Sequence, residues 1–240
     1  MLSLDKQNEL RELFRQKRPD WRPATEVYAD LVRAHLRPSS RVLDVGCGRG
    51  GLVEQLAHPL AQVVGVDPDW ASLREHRLNL PRVAALSDDL PFAPASFDVA
   101  FASWVLEHLA RPLRTFRALS RVLQPGGVFV FITPNGRHPL AWANRGLGRF
   151  SRLQGRLVSR LYGRQPDDTF PTYYRANTAV ALAELCAASG LILDSLFTIP
   201  DPTYLAFNKP VFHLMGWFET HLPPAYRLHL VGACRKETSK

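Results

Sequence analysis

The sequence predicts an α/β fold in which a parallel sheet is covered by helices on both faces. Short apolar runs alternate with amphipathic segments over the first half of the chain, and a glycine-rich turn follows the first apolar run. The size and composition of the chain also fit this fold class. Its 240 residues, 46% apolar and 22% charged, suffice for one sizeable core. Disordered, collagen-like and small disulfide-stapled proteins are excluded on the same grounds.

Cysteine usage and the N-terminus predict a protein of a reducing, cytoplasmic compartment. Cys47, Cys186 and Cys234 are odd in number and far apart, so they form neither a disulfide framework nor a CxxC metal knuckle. The N-terminus is polar from the fourth residue and lacks the layout of a signal peptide. No apolar stretch approaches the roughly 18 residues that a membrane span requires, so we expect a soluble chain.

Positive charge is concentrated in one region of the sequence. The net charge is +8, and the segment between Glu107 and Asp167 holds eleven arginines and no Asp or Glu. A local anionic partner would explain this segment. A general bias toward arginine, which outnumbers lysine 25 to five, explains it equally well.

Two amphipathic helices are predicted before residue 40. In Leu2–Lys17, the apolar residues Leu10, Leu13 and Phe14 lie among charges, and Thr25–Leu36 repeats this spacing. Strands and helices then alternate up to Thr133, which is typical of a parallel sheet. The predicted elements are strand Arg41–Val45, helix Leu52–His58, strand Gln62–Val66, helix Trp70–Leu78, strands Val83–Leu86 and Phe97–Ser103, helix Pro112–Leu123 and strand Gly127–Thr133.

The alternation breaks after Thr133 for about forty residues, a length that favours a functional insertion over a plain connection. It resumes with a predicted helix at Thr178–Ser189 and a strand at Leu191–Thr198. A Pro-rich, aromatic-rich loop over Pro200–Tyr226 then leads to a last strand at His229–Lys236.

The glycine turn after the first strand predicts a ligand site. Gly46, Gly48 and Gly51 satisfy the GxGxxG dinucleotide pattern, whereas Gly46, Gly48 and Gly50 satisfy GxGxG, so the glycines alone cannot name the cofactor. In either case, glycine lets ligand atoms approach bare backbone.

Two carboxylates discriminate between the cofactors. Asp44, two residues before Gly46, would receive an ammonium group but repel a pyrophosphate. Asp67 closes the second predicted strand, and its two oxygens suit the two hydroxyls of a ribose. Its alternative role is to cap the following helix. The pair favours a cofactor that carries an amino acid and a ribose.

Four motifs together resemble those of the class I S-adenosylmethionine-dependent methyltransferases, of the methyltransferase type 11-like family. They are Val42-Leu-Asp-Val-Gly-Cys-Gly-Arg-Gly50, Val64-Gly-Val-Asp67, Leu90-Pro-Phe92 with Ser96-Phe-Asp98, and Leu123-Gln-Pro-Gly-Gly127. The resemblance covers Arg41 to Thr133 and extends to the helix and strands after Asn177, but not to the insertion. It implies a Rossmann-like sheet of seven strands whose last strand is antiparallel.

The resemblance divides the single domain, residues 1–240, into four parts. N-terminal helices occupy 1–40, the cofactor-binding core 41–133, a helical insertion or cap 134–176, and the rest of the core 177–240, with the aromatic loop at 200–226. The implied cofactor is S-adenosyl-L-methionine. The residues predicted to contact it are Asp44, Gly46, Cys47, Gly48, Gly50, Asp67, Pro68, Leu86, Ser87, Asp88 and Ser103.

The adenine end departs from the family pattern. Relatives usually present an acidic residue four positions before the Leu-Pro-Phe leucine, where this chain has Leu86. We therefore expect the backbone of Ser87 and a shifted Asp88 to meet the adenine.

The segment after the fourth strand, Ser103-Trp-Val-Leu-Glu-His108, matches one that lies between cofactor and acceptor in the family. His108 is a candidate general base, since imidazole titrates near working pH, and its alternative role is structural. Some relatives have an acidic metal ligand where this chain has Trp104, so no metal site is expected. Trp104, Tyr173, Tyr174 and Arg175 are candidate acceptor contacts.

The insertion contains five arginines, from Arg145 to Arg160, at spacings that place them on one stripe of a helix. Such a helix could rest on an anionic membrane or receive an acidic substrate. An ordinary cap helix with its arginines in solvent has the same pattern. The aromatic residues of 200–226 favour a lipophilic pocket, but equally core packing or a dimer interface.

These observations predict a methyltransferase that acts on a small-molecule acceptor, with O-methylation favoured and a lipophilic acceptor as the finer expectation. An NAD-dependent reductase is opposed by Asp44 and the later motifs. An RNA-binding protein or RNA methyltransferase would use the arginine stripe on phosphates, but stacking aromatics are not interleaved with it. A catalytically idle cofactor-binding protein stays open, as does the oligomeric state.

Overall fold

The computed structural model describes residues 4–142, 170–203 and 208–238, which form a seven-stranded mixed sheet with helices on both faces. The helices are α1 (Leu4–Lys17), α2 (Ala24–His35), α3 (Trp70–Arg74), α4 (Pro112–Val122), α5 (Ala179–Ala187) and α6 (Lys209–His221). The strands are β1 (Val42–Val45), β2 (Val63–Asp67), β3 (Arg82–Ala84), β4 (Phe97–Ser103), β5 (Leu123–Pro134), β6 (Leu191–Ile199) and β7 (His229–Lys236).

The strand order fixes where a ligand can bind. It is β3-β2-β1-β4-β5-β7-β6, with β7 antiparallel to both of its neighbours and all other pairs parallel. The chain leaves β1 toward β2 on one side and returns through β4 on the other, so a crevice opens at the carboxyl ends of β1, β2 and β4. Because β7 is antiparallel, its first residue, His229, pairs with Pro134 at this same edge.

Alternating side chains of the central strands bury two separate core layers. Val130 on β5 faces one layer, where Tyr28 and Val32 of α2 pack against it. Phe129 and Phe131 face the other, where α4 and α5 pack. Since successive strand residues point to opposite faces, one apolar strand supplies both layers, and the predicted double-sided sheet is confirmed.

Two predicted elements were wrong. Leu52–His58, expected as a helix, is only a 3₁₀ turn over Leu52–Gln55. Ala57 has a left-handed φ of 51°, and Pro59 follows, so the segment has no room for an α-helix. α3 also ends at Arg74, four residues before the predicted end.

The predicted aromatic loop contains the 13-residue helix α6. Asn208 caps this helix through a hydrogen bond from Val211 N to its Oδ1, 2.9 Å long. The buried hydrogen bond between His138 Nε2 and Glu219 Oε1, at 2.7 Å, ties α6 to the segment that follows β5. The loop predicted from the Pro-rich composition of 200–226 is therefore wrong over Lys209–His221.

α6 also anchors α1. Phe212 packs against Phe14, whose ring meets Trp21 edge-on at 5.0 Å. Helix α1 and the linker residue Trp21 thus reach the C-terminal part of the chain through a small third core.

The predicted insertion, 134–176, is described only at its two ends, 134–142 and 170–176, and residues 139–142 are helical. The arginine helix Arg145–Arg160 lies outside the described residues, so its role stays a prediction. In the described ranges, no helix combines the length and apolar character needed to cross a bilayer.

The α1–α6 core predicts a difference between two aromatic residues of one helix. Phe212→Ala should lower the free energy of unfolding by about 3 kcal/mol, because it empties a buried site. Trp217→Ala should change it by less than about 0.5 kcal/mol, because 60% of that side chain is exposed. Urea unfolding of both variants measures the difference, and equal effects would contradict the packing described for α6.

Candidate functional site

A tight glycine turn links the end of β1 to the end of β2. Gly46 and Cys47 both donate their backbone N–H to Val66 O, at 2.7 and 3.2 Å. Gly46 has a φ of 72°, and a Cβ there would collide with the Val105 side chain. Position 46 therefore requires glycine on two counts, backbone conformation and space.

Asp67 closes the same turn with its side chain. Its Oδ2 accepts a hydrogen bond from Gly48 N at 2.9 Å, and its Oδ1 accepts one from Asp69 N at 2.8 Å. Burial raises the pKa of Asp67 despite these two N–H donors. Asp69, not Asp67, caps α3. The alternative capping role of Asp67 is therefore wrong, and its carboxylate stays at the carboxyl edge of the sheet.

Asp44 lies on β1 as a buried acid. No described residue donates a hydrogen bond to its carboxyl group, and burial, together with the nearby charge of Asp67, raises its pKa to about 8. The acid is therefore mostly protonated at neutral pH in the free site. A cation beside Asp44 would favour its ionised form.

A cavity of about 270 Å³ opens beside Asp44. Its walls come from the glycine turn, the first half of α2, the 3₁₀ turn after the glycines and the ends of β4 and β5. The lining residues are Thr25, Tyr28, Asp44, Gly46, Cys47, Gly50, Gly51, Leu52, Gln55, Ser103, Trp104 and Ile132. The Ser103 Oγ donates a hydrogen bond to Tyr28 Oη at 3.1 Å.

Trp104 occupies a strained backbone position at the cavity. Its φ is 58°, in the left-handed region, and its N–H donates to Ile132 O at 3.0 Å. The indole meets the His229 ring at a centroid distance of 5.1 Å and is 36% exposed. Burial lowers the pKa of His229 to about 4, so a neutral ring backs the indole. Such strain in a bulky residue is typical of functional sites.

His108 lies near this edge but does not line the cavity. Its Nδ1 is 2.9 Å from Pro171 O, and since a carbonyl only accepts, the proton is on Nδ1 and the Nε2 lone pair is available. The backbone N–H groups of Tyr173 and Tyr174 donate to Glu107 O. This pairing holds the 170–175 segment beside His108.

The three residues proposed for the adenine end lie after β3, at the same edge and outside the cavity. Leu86 is 54% exposed. The Ser87 Oγ contacts Thr115 Oγ1 at 3.2 Å, and Asp88 forms an ion pair with Arg111 at 2.8 Å. Pro68 is exposed directly after Asp67.

Comparisons with known proteins identify the family. A family model described as a methyltransferase domain matches residues 43–131. A ubiquinone biosynthesis O-methyltransferase of Xanthomonas campestris is 33% identical over 177 residues, which are 70% of this chain and 73% of the relative. The chain belongs to the class I S-adenosylmethionine-dependent methyltransferases.

Other relatives agree on the fold and the reaction class. A malonyl-[acyl-carrier protein] O-methyltransferase of Legionella pneumophila is 37% identical over 101 residues, 39% of this chain and 36% of its own length. A geranyl diphosphate C-methyltransferase of Streptomyces coelicolor, solved with S-adenosyl-L-homocysteine, matches with a TM-score of 0.59 at 16% identity, covering 88% of this chain and 79% of that one. These relatives give no support to the RNA-directed alternative, and the family excludes the reductase.

S-adenosylmethionine is the cofactor of this methyltransferase, and the site fits it on two observations. The carboxyl group of Asp44 has no described donor and suits the cofactor's α-ammonium group. Gly51, which lines the same cavity, leaves open the space that a Cβ would fill, because no protein atom lies within 4 Å of that position. In the described part of the chain, no cluster of three His, Cys, Asp or Glu side chains could hold a metal ion.

The predicted site residues fall into three groups. The cavity brings together Asp44, Gly46, Cys47, Gly50 and Ser103 with Trp104, which the sequence had assigned to the acceptor. Gly48 and Asp67 form the turn beside it, while the adenine-end residues and His108 lie farther along the edge. The sequence did not predict Thr25, Tyr28 or Gln55 as cavity residues. The pattern of an amphipathic helix or a short turn does not indicate which side chains will face a distant strand end.

The buried acid predicts a pH-dependent cofactor affinity. Because binding a cation requires Asp44 to be ionised and its pKa in the free protein is about 8, affinity for S-adenosylhomocysteine should rise about tenfold per pH unit between pH 5.5 and 7.5. Calorimetry across that range measures it. Asp44→Asn should bind weakly with no such slope, and a flat wild-type profile would contradict the role of Asp44.

The glycine turn predicts opposite outcomes at two nearby glycines. Gly46→Ala should cost about 2–5 kcal/mol of unfolding free energy, from the left-handed backbone and the collision with Val105, and should abolish cofactor binding. Gly51→Ala should change the unfolding free energy far less, because an added Cβ there meets no atom within 4 Å. Thermal unfolding compares the two variants and calorimetry measures cofactor binding to Gly46→Ala, and a stable Gly46→Ala protein with normal binding would refute this account.

Proposed function

We propose that this methyltransferase transfers the methyl group to a hydroxyl oxygen of a small, lipophilic acceptor. The observation that carries the proposal is its 33% identity, over most of both chains, to proteins named ubiquinone biosynthesis O-methyltransferases. Exposed aromatic rings at the carboxyl edge, those of Trp104, Phe170 and Tyr173, support an apolar acceptor.

The cofactor end of the site supports the following roles. Asp44 binds the α-ammonium group, while Gly46, Cys47, Gly48 and Gly50 present backbone to the methionine portion and Ser103 closes that side. Asp67 accepts from the ribose hydroxyls with the lone pairs that Gly48 and Asp69 leave open. The bound cofactor supplies a sulfonium methyl that is transferred by in-line displacement.

At the adenine end, we assign Pro68 and Leu86 to apolar contact with the ring. The backbone of Ser87 and the carboxylate of Asp88 meet its polar edge. Arg111 fixes the Asp88 side chain by their ion pair, so the carboxylate is held in one orientation.

On the acceptor side, Trp104 provides a flat face and Tyr173, Tyr174 and Arg175 provide the outer rim. Arg175 donates to Ala110 O at 2.6 Å, and its guanidinium lies 5.4 Å from the Tyr173 ring centroid, which stiffens the rim. The protein's contribution is to align the acceptor oxygen with the methyl group and to exclude water. His108 removes the hydroxyl proton through Nε2.

We also propose a cytoplasmic location for the protein. The arginine segment Arg145–Arg160 contacts a membrane or an anionic group in this proposal.

Acceptor class is tested with matched pairs of compounds. Release of S-adenosylhomocysteine is measured with catechol against 1,2-diaminobenzene, and with 4-nonylphenol against phenol. We expect turnover of the hydroxyl compounds only, and a lower KM for the alkylated phenol because its chain buries apolar surface. Turnover of the amine alone would overturn O-methylation, and equal KM values would remove the lipophilic acceptor.

The proposed base predicts a selective loss. His108→Ala should lower kcat by about 10²-fold or more while leaving the affinity for S-adenosylhomocysteine unchanged, because imidazole acts on the acceptor proton only. His213→Ala, an exposed histidine on α6, is the matched control and should leave both quantities unchanged. An unchanged kcat in the His108 variant would show that transfer needs no protein base at this position.

A further inference from the structure

The inner wall of the cavity comes from α2, which lies before the residues that the family model matches. Tyr28 is the most deeply placed residue of that wall. Its side chain is 2% exposed, yet it lines the cavity beside Asp44. Its hydroxyl group is hydrogen-bonded to Ser103, which lines the same cavity.

The hydroxyl group of Tyr28 has an unused hydrogen. Ser103 donates to Tyr28 Oη, which occupies a lone pair of the phenol oxygen and leaves its own hydrogen without an acceptor among the described residues. Burial and the nearby Asp44 carboxylate keep the pKa of Tyr28 well above its usual value, although the Ser103 hydrogen bond opposes them. The phenol therefore stays protonated and acts toward a ligand as a donor.

The charged side chains that line the cavity can pair with the cofactor's α-ammonium group but not with its α-carboxylate. Asp44 is the one carboxyl group of the lining, and the lining contains no Lys, Arg or His. With the cofactor's α-ammonium group at Asp44, its α-carboxylate would lie beside a second negative charge and would need neutral donors. Without them, its burial would be costly.

We propose that Tyr28 donates its phenolic hydrogen to the α-carboxylate of S-adenosylmethionine, with Ser103 orienting the phenol. This inference rests on the proposed placement of the cofactor's amino-acid end at Asp44. Thr25 and Gln55 share the wall, but among these three residues only Tyr28 has a described hydrogen bond that ties its side chain to a strand end.

The test compares two ligands that differ at the amino-acid end. S-adenosylhomocysteine carries the α-carboxylate, whereas 5′-deoxy-5′-methylthioadenosine keeps the nucleoside and thioether and lacks the amino acid. By calorimetry, Tyr28→Phe should weaken S-adenosylhomocysteine about 10- to 100-fold, as expected for one hydrogen bond to a charged group, and leave methylthioadenosine unchanged. Tyr226→Phe, a partly exposed tyrosine near β7, is the control and should change neither affinity.

Three results would overturn the proposal. Equal weakening of both ligands would mean that Tyr28 only packs the wall. Unchanged affinity for S-adenosylhomocysteine with a lower kcat would mean that the hydroxyl faces the acceptor. If Tyr28→Phe does not fold, Ser103→Ala provides a second test, because it keeps the phenol ring. This variant should weaken the binding of S-adenosylhomocysteine alone, by a smaller factor. The absence of a selective loss in Ser103→Ala would refute the role of Tyr28. Absence of binding of S-adenosylhomocysteine to the wild type would instead refute the cofactor site, and failure with hydroxyl acceptors would touch only the proposed function.

Discussion

The hydrogen bonds that join the ends of β1 and β2 are the constraint on which the site depends. Gly46 and Cys47 donate to Val66 O, and Gly48 donates to the side chain of Asp67, so one turn is clamped to the neighbouring strand by both its backbone and a carboxylate. This clamp requires glycine at position 46. It also brings Asp44 and Asp67 to the same edge, where the charge of Asp67 adds to the cost of ionising the buried Asp44.

The burial of the Asp44 carboxyl group lowers the stability of the free protein and favours the binding of a cation. Because burial raises the pKa of Asp44 from 3.8 to about 8, the free energy of unfolding falls as pH rises from the lower of these values to the higher. A bound cation offsets the cost by favouring the ionised form. Trp104, with its left-handed backbone held by Ile132 O, adds a second local cost at the same cavity. Both destabilising features lie at the cavity where ligand chemistry takes place. The apolar core on the two faces of the sheet offsets the stability that they cost.

The site has two origins along the chain. The turn and the strand ends lie within the family's methyltransferase domain and serve the cofactor. The wall from α2 lies before that domain, and the 170–175 rim lies after it. Chemistry that resides mostly in the cofactor leaves the protein to orient and enclose the reactants, so these outer parts are where one methyltransferase can differ from another.

The sequence by itself determined the α/β class, the double-sided sheet and the residues at the turn, because strand periodicity, glycine spacing and a carboxylate before the glycines are local patterns. It did not determine the fate of Leu52–His58, where a left-handed Ala57 ends the turn, or of Pro200–Tyr226, where α6 forms against Phe14. Nor did it place Tyr28 in the site. A helix pattern shows which face is buried but not what that face meets, and only the tertiary structure brought the Tyr28 hydroxyl to Ser103, 75 residues away.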